Sequence, residues 1–152
     1  MTQRERRRAA MSHAFRYQEY KAAVNDYVSA VLASQGGKQQ FGGTPVSSGH
    51  RSDPTAQAAV KLADMPEHLR TKALWVRAVN DAWEECAAES DDLAFLFEQN
   101  FRLTGEILGQ EHNAAVRERI VEELGIAVPT FYKWLEDACD ILVYYATKRK
   151  LL

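Results

Sequence analysis

The spacing of the apolar residues is the feature that most constrains the fold of this chain. Along most of its 152 residues they recur every three or four positions, which is the period of an amphipathic helix. No segment alternates between apolar and polar residues for long enough to form a strand. The sequence therefore predicts an all-α protein, a helical bundle of roughly six helices.

The pattern divides the chain into three regions. Residues 1–33 contain a basic arm and one amphipathic helix, expected from Arg6 to Ala33. Residues 34–53 are rich in Gly, Ser and Gln and offer little to bury, so we expect a flexible linker. Residues 54–152 then form a helical domain with a core of its own.

The helices of this second domain are bounded by residues that favour helix ends. Asp53 and Pro54 suit an N-cap and a first helical position. A short helix is expected to end at Pro66, and a longer one follows it. Ser90 is the expected cap of a further helix, which Gly109 ends.

Charge and hydropathy exclude several classes of protein. The net charge is −2, and no apolar run approaches the ~20 residues that a membrane span needs. The basic N-terminus is not followed by an apolar stretch, so we expect no signal peptide and a cytoplasmic protein without a membrane partner.

The residues offer no catalytic or metal-binding constellation. Cys86 and Cys139 lie far apart in sequence and are expected to be buried, reduced thiols. No His lies at ligand spacing from a Cys or from another His. Adjacent acidic residues such as Glu84 and Glu85 point about 100° apart on a helix and do not converge on a substrate. We therefore expect no enzyme, no metal and no cofactor.

Residues 113–148 carry the strongest functional signal. Asn113 can cap a first helix, Gly125 suits a tight turn, and Pro129 lies in the first turn of a second helix. Two helices joined by a short turn with Gly are typical of a helix-turn-helix, although a plain helical hairpin shows the same periodicity. The second helix has one apolar stripe, formed by Phe131, Leu135, Ala138 and Leu142.

Candidate DNA contacts follow from this arrangement. Lys133 lies about 200° from Phe131 at about 100° per residue, so it faces away from the stripe. It belongs to the first part of the second helix, where DNA contacts are usually made, and Thr130 and Tyr132 flank it. The basic ends of the chain could hold phosphate, the N-terminal one as a flexible arm, or could be solvated tails. They comprise Arg4, Arg6, Arg7 and Arg8 and, at the other end, Lys148, Arg149 and Lys150.

Two features oppose a DNA-reading role for the second helix. Glu136, Asp137 and Asp140 share its exposed side and would repel phosphate. Ala127 occupies the expected N-cap, where Ser, Thr or Asp is favoured. Either only the first turn or two enters a groove, or this face meets a protein.

Short motifs of this chain resemble those of a known family. EELGIAVPTFYKWLEDACDIL is similar to the helix-turn-helix of sigma-factor region four. The order of GG, DPTAQAAVKLAD (Asp53 to Asp64), ALWVRAVNDAW and LGIAVPTFYKWL resembles the ArpU/RinA family of phage and prophage transcriptional regulators. The resemblance implies a protein of the bacterial host cell that binds promoter DNA and activates late genes, with RNA polymerase as a candidate partner. Phage antitermination proteins of the Q type share a related helix-turn-helix, so a Q-type antitermination factor is the nearest alternative.

An assembly role is the alternative to regulation. A small DNA-packaging subunit or a partner-binding adaptor would also be helical, and packaging subunits carry helix-turn-helix units too. Tyr144 and Tyr145, together with Leu151 and Leu152, could seed contacts of a homodimer or form a satellite of the core. A ring of subunits would favour packaging, whereas a monomer or dimer would favour regulation.

Overall fold

The computed structural model of the protein describes residues 1–39, 62–105 and 112–152. Within these ranges every regular element is helical, so the expected all-α class is confirmed. A single 3-10 turn covers Leu62–Asp64. The α-helices of the described residues are α1 (Gln3–Ala14), α2 (Tyr17–Gln39), α3 (Glu67–Glu89), α4 (Asp91–Asn100), α5 (Asn113–Leu124) and α6 (Val128–Lys148).

The N-terminal region is not one helix, and it does not begin with a flexible arm. The expected helix from Arg6 to Ala33 is wrong, because the chain breaks at Phe15 and Arg16 into α1 and α2. Thr2 starts α1 with a capping box: its Oγ1 accepts from the Glu5 N–H at 3.2 Å, and the Glu5 carboxylate accepts from the Thr2 N–H at 2.7 Å. These two bonds satisfy backbone donors that a helix start otherwise leaves free.

Several expected boundaries lie outside the described residues. Helix α2 continues to Gln39, past the expected linker boundary at residue 33. The rest of the expected linker and the start of the next helix, residues 40–61, are not among the described residues, nor is Gly109. The helix capped by Ser90 ends at Asn100 and is therefore shorter than expected.

The chain forms two compact units, and the larger one comprises Met1–Glu19 and Leu74–Leu152. Its central element is α6, which packs against α1 and α4, while α5 packs against α4 and α6. The expected apolar stripe of α6 is buried. Three further buried residues, Cys139, Val143 and Ala146, widen it. On α1, Ala10 and Ala14 are fully buried, and such small side chains allow close helix packing.

Local hydrogen bonds fix the other helices of this unit. The Ser90 side chain accepts from the Leu93 N–H at 3.0 Å, which confirms the expected cap of α4. The Tyr17 hydroxyl donates to Asn80 Oδ1 at 2.7 Å. Cys86 and Cys139 are free and buried, as expected. Burial raises the pKa of each thiol to about 12, so neither is a nucleophile at neutral pH.

The smaller unit, Tyr20–Ala73, has a small core of its own. Val28, Met65 and Ala73 form its buried centre. Partly buried apolar residues surround them, namely Val24, Tyr27, Leu32, Leu62 and Leu69. Among the described residues of both units, no helix combines the length and hydropathy that crossing a membrane requires.

Candidate nucleic-acid interface

A three-residue turn, Gly125 to Ala127, joins α5 to α6. Gly125 adopts φ +63° and ψ +37°, the left-handed conformation that ends a helix. The Ile126 N–H then donates to the Val121 carbonyl at 3.2 Å, which closes the last turn of α5. A Cβ at Gly125 would meet no atom within 4 Å. Backbone conformation rather than space therefore favours glycine here.

The N-terminus of α6 has no side-chain cap. Ala127 stands at the N-cap, no side chain accepts a hydrogen bond there, and the first turn contains no acidic residue. The first intrahelical bond runs from the Phe131 N–H to the Ala127 carbonyl at 3.0 Å. The earlier N–H groups and the positive end of the helix dipole are thus left for solvent or for an anion. This terminus is also apolar at its surface, since Val128 is 44 % exposed.

The three expected contact residues of α6 lie together at this terminus. Lys133 is exposed, and it makes no ion pair within the part of the chain that the structure describes. Tyr132 is 48 % exposed, whereas Thr130 is half-buried. The expected orientation of Lys133, away from the buried stripe, is confirmed.

Sequence reasoning missed one residue of this surface, Arg117 on α5. Its Nη1 donates to the Tyr132 hydroxyl at 2.6 Å, and its guanidinium carbon lies 5.8 Å from the centroid of the Tyr132 ring. The hydrogen bond and the cation–π contact together hold Tyr132 against α5. The sequence signal was weak, because an arginine within a helix rich in Glu and Arg is ordinarily solvated.

The acidic side of α6 is partly neutralised by α1. Asp140 accepts from Arg7 Nε at 2.6 Å and Nη2 at 2.9 Å, and from Gln3 Nε2 at 2.9 Å. Arg7 Nη1 also lies 3.2 Å from a carboxylate oxygen of Glu136. The hydrogen bond from Arg7 is the main cause that lowers the pKa of Asp140, and the bond to Asp140 raises the pKa of Arg7. Three negative charges, those of Glu136, Asp137 and Asp140, therefore face the single positive charge of Arg7, so this side of α6 remains acidic.

These contacts, and one further ion pair, correct the expectation that all basic residues at the two ends of the chain are available for phosphate. Arg7 does not belong to a free arm, since its guanidinium is engaged by Asp140 and Glu136. At the other end, Arg149 forms an ion pair with Asp81 of α3, and its Nη1 lies 3.4 Å from the Tyr145 carbonyl. Neither guanidinium is free for phosphate.

The other basic candidates remain at the surface. Arg4 and Arg8 are exposed one turn apart on α1, and Arg6 is half-buried. Lys148 and Lys150 are exposed at the end of the chain.

The described part of the chain contains no candidate metal site beside this surface. Among residues 1–39, 62–105 and 112–152, no three His, Cys, Asp or Glu side chains gather into a group that could hold a metal ion. Compared with known protein families, curated proteins and solved structures, the chain matches none. A functional proposal for this chain therefore depends on the local geometry of α5 and α6.

Proposed function

We propose that residues 113–148 form a helix-turn-helix that binds double-stranded DNA, and that the protein regulates transcription of phage or prophage late genes. In this role it binds and does not catalyse. One observation carries the proposal: the body of α6 is committed to the core, while its uncapped first turn and Lys133 face solvent beside α5. A recognition helix needs this division, because its first turns enter the major groove.

The packing of α4 supports this proposal. An isolated pair of helices cannot bury both of its apolar sides, so a helix-turn-helix needs a supporting helix. Helix α4 packs against both α5 and α6, and its Leu96 and Phe97 are fully buried. Such support fixes the angle at which the start of α6 is presented.

The electrostatics of the start of α6 support it as well. The unsatisfied N–H groups and Lys133 together favour an anion at this end of the helix. Arg7 contacts Asp140 and Glu136 and offsets one of the three negative charges on this side of α6, which reduces the repulsion that phosphate would meet along the helix. As partners we propose double-stranded DNA and, as the family resemblance implies, the host RNA polymerase.

Lys133→Ala tests the proposal. Because Lys133 is exposed, the variant should keep its helix content by circular dichroism. Full-length protein would first select duplexes from a random pool, and an enriched duplex and a scrambled one would then be titrated. Loss of a base contact should weaken specific binding by about 1–3 kcal/mol, and loss of a phosphate contact should flatten the log–log salt dependence by about one unit.

Two further comparisons complete the test. Lys133→Arg is the matched control, because it keeps the charge and should preserve the salt dependence while altering base preference. If selection enriches no sequence, or if Lys133→Ala, Thr130→Ala and Tyr132→Ala all bind like the parent, the proposal is wrong. A helical assembly protein, such as a packaging subunit, would then be the better candidate.

A further inference from the structure

A second stripe runs along the outer side of α6. We call it the outer stripe, and its members alternate in steps of three and four positions. This spacing places all of them on one face of the helix. Tyr144, in its middle, is 59 % exposed, although large aromatic side chains gain from burial. The outer stripe consists of Trp134, Asp137, Ile141, Tyr144 and Lys148.

The charges of the outer stripe have no ion-pair partner among the residues that the structure describes. Two neighbouring charged residues are engaged, since Asp140 of α6 binds Arg7, and Arg149, which follows α6, binds Asp81. Asp137 and Lys148, in contrast, are exposed and make no ion pair among the described residues. The outer stripe therefore has one negative residue towards its start and one positive residue at its end.

This charge order selects an antiparallel copy of the same helix. In an antiparallel pair centred between Ile141 and Tyr144, Asp137 of each copy faces Lys148 of the other. Ile141 of each copy then faces Tyr144 of the other, so the apolar centre is self-complementary. A parallel pair would instead set Asp137 against Asp137 and Lys148 against Lys148, and like charges across an interface are unfavourable.

We propose that the protein forms a two-fold symmetric homodimer through the outer stripes of two antiparallel α6 helices. Residue i of one copy meets residue j of the other and the reverse, as a two-fold interface requires. Tyr145 is not part of the interface, because its hydroxyl donates to Glu85 within the chain at 2.9 Å. One pair of helices buries less than the ~1,000 Å² of a stable interface, so we expect a weak, micromolar dimer.

The dimer has a consequence that rests on the proposed DNA-binding function. With the pair centred between positions 141 and 144, the two Lys133 residues lie about 29 Å apart along the helix axis, at about 1.5 Å per residue. The two-fold axis is perpendicular to the plane of the two helices, so both Lys133 side chains project from the same face of the pair. This span approaches the ~34 Å between successive major grooves on one face of B-DNA. The preferred site should therefore be a two-fold symmetric pair of half-sites about one turn apart.

Charge reversal tests the dimer without any DNA. Sedimentation equilibrium of the full chain at low salt, from about 1 to 200 µM, should show a monomer–dimer equilibrium. Asp137→Lys alone and Lys148→Asp alone should each weaken association about tenfold, because two symmetric ion pairs become repulsive contacts. The combined variant exchanges the charges and should return to within about threefold of the parent.

Two further variants separate the outer stripe from charge effects in general. Tyr144→Ser removes the exposed aromatic residue and should weaken association by about tenfold or more. Glu118→Lys changes an exposed charge on α5 and should leave association unchanged. A monomer throughout the range, an equilibrium indifferent to the reversals, or a combined variant that stays weak would each overturn the proposal. Because DNA is absent, such a result leaves the Lys133 test standing, and a failure of that test leaves the dimer standing.

Discussion

The two ends of α6 differ in how the rest of the chain holds them. From Leu135 onwards the helix is buried on one side and tied by ion pairs, with Arg7 on Asp140 and Asp81 on Arg149. From Val128 to Lys133 it has no cap and no ion pair among the described residues. A helix anchored by its body keeps its terminal donors and a lysine available for another molecule.

The helix starts repeat this contrast across the larger unit. Helices α1 and α4 begin with side-chain caps, Thr2 and Ser90. Helices α5 and α6 have His112 and Ala127 at their N-caps, and neither side chain makes a capping hydrogen bond. A missing cap costs about 1 kcal/mol of stability. The uncapped pair is also the pair that forms the proposed DNA-binding unit, so the cost falls where a ligand could supply the missing acceptors.

The largest change in the free energy of unfolding should come from a substitution in the buried body of α6. Leu142 is fully buried, so Leu142→Ala should lower the free energy of unfolding by about 2–5 kcal/mol through lost burial and a cavity. Tyr144→Ala, two residues further on the exposed side, is the matched control and should change it by about 0.5 kcal/mol or less. Urea unfolding followed by circular dichroism measures both. Equal losses would mean that the two sides of α6 are not as different as their burial indicates.

The local part of this contrast could be predicted from the sequence. The buried stripe of α6 follows from helical periodicity, and Gly125, Ser90 and Ala127 mark helix ends through short-range chemistry. The break between α1 and α2 could not be predicted, because it falls at Phe15 and Arg16, and neither residue is a Gly or a Pro that would mark a helix end.

Ion pairs between residues that are far apart in the sequence could not be predicted for a different reason. Arg7 and Asp140 are separated by 133 positions, and nothing in a single sequence tells which of many arginines meets which carboxylate. The sequence therefore predicted the contact residues on α6 itself. It could not predict which basic residues at the chain ends are already engaged by the protein.

A capping side chain introduced at Ala127 tests the role of the uncapped N-terminus of α6. Ala127→Asn and Ala127→Asp should each raise the free energy of unfolding by about 1 kcal/mol, because either side chain accepts from an unsatisfied N–H of α6. The two caps differ in charge, so Ala127→Asp should weaken DNA binding more than Ala127→Asn does. Thermal unfolding and DNA titration of both variants give the two quantities. Equal DNA affinities for the two variants would mean that phosphate does not approach this terminus.

The smallest effect concerns the tie between α1 and the body of α6. Asp140→Asn removes the ion pair with Arg7 but leaves the first turn of α6 unchanged. Because Asp140 is partly exposed, with 38 % of its side chain accessible, solvent screens the pair and the loss of stability at pH 7 should be about 0.2–1 kcal/mol. DNA affinity should not fall, because the change removes a negative charge from the helix. A large loss of DNA binding at unchanged stability would show that the body of α6, and not its first turn, faces the duplex.

The pH dependence of the stability of Asp140→Asn, compared with that of the parent, identifies the titrating group that causes the stability difference. The pKa of Asp140 is lowered in the folded protein, so the unfolded chain takes up the proton first as the pH falls. The stabilisation by the ion pair is therefore complete well above the unfolded pKa of about 3.9 and is lost as the pH falls below it. Burial lowers the pKa of His13, which stacks on Trp75 with ring centroids 4.1 Å apart, so stability also declines as the pH falls below about 6.5. Parent and Asp140→Asn share the His13 effect, which cancels in their difference. That difference should stay constant from pH 7 to about 5 and shrink towards pH 3, and a difference that already changed between pH 7 and 5 would contradict the assignment to Asp140.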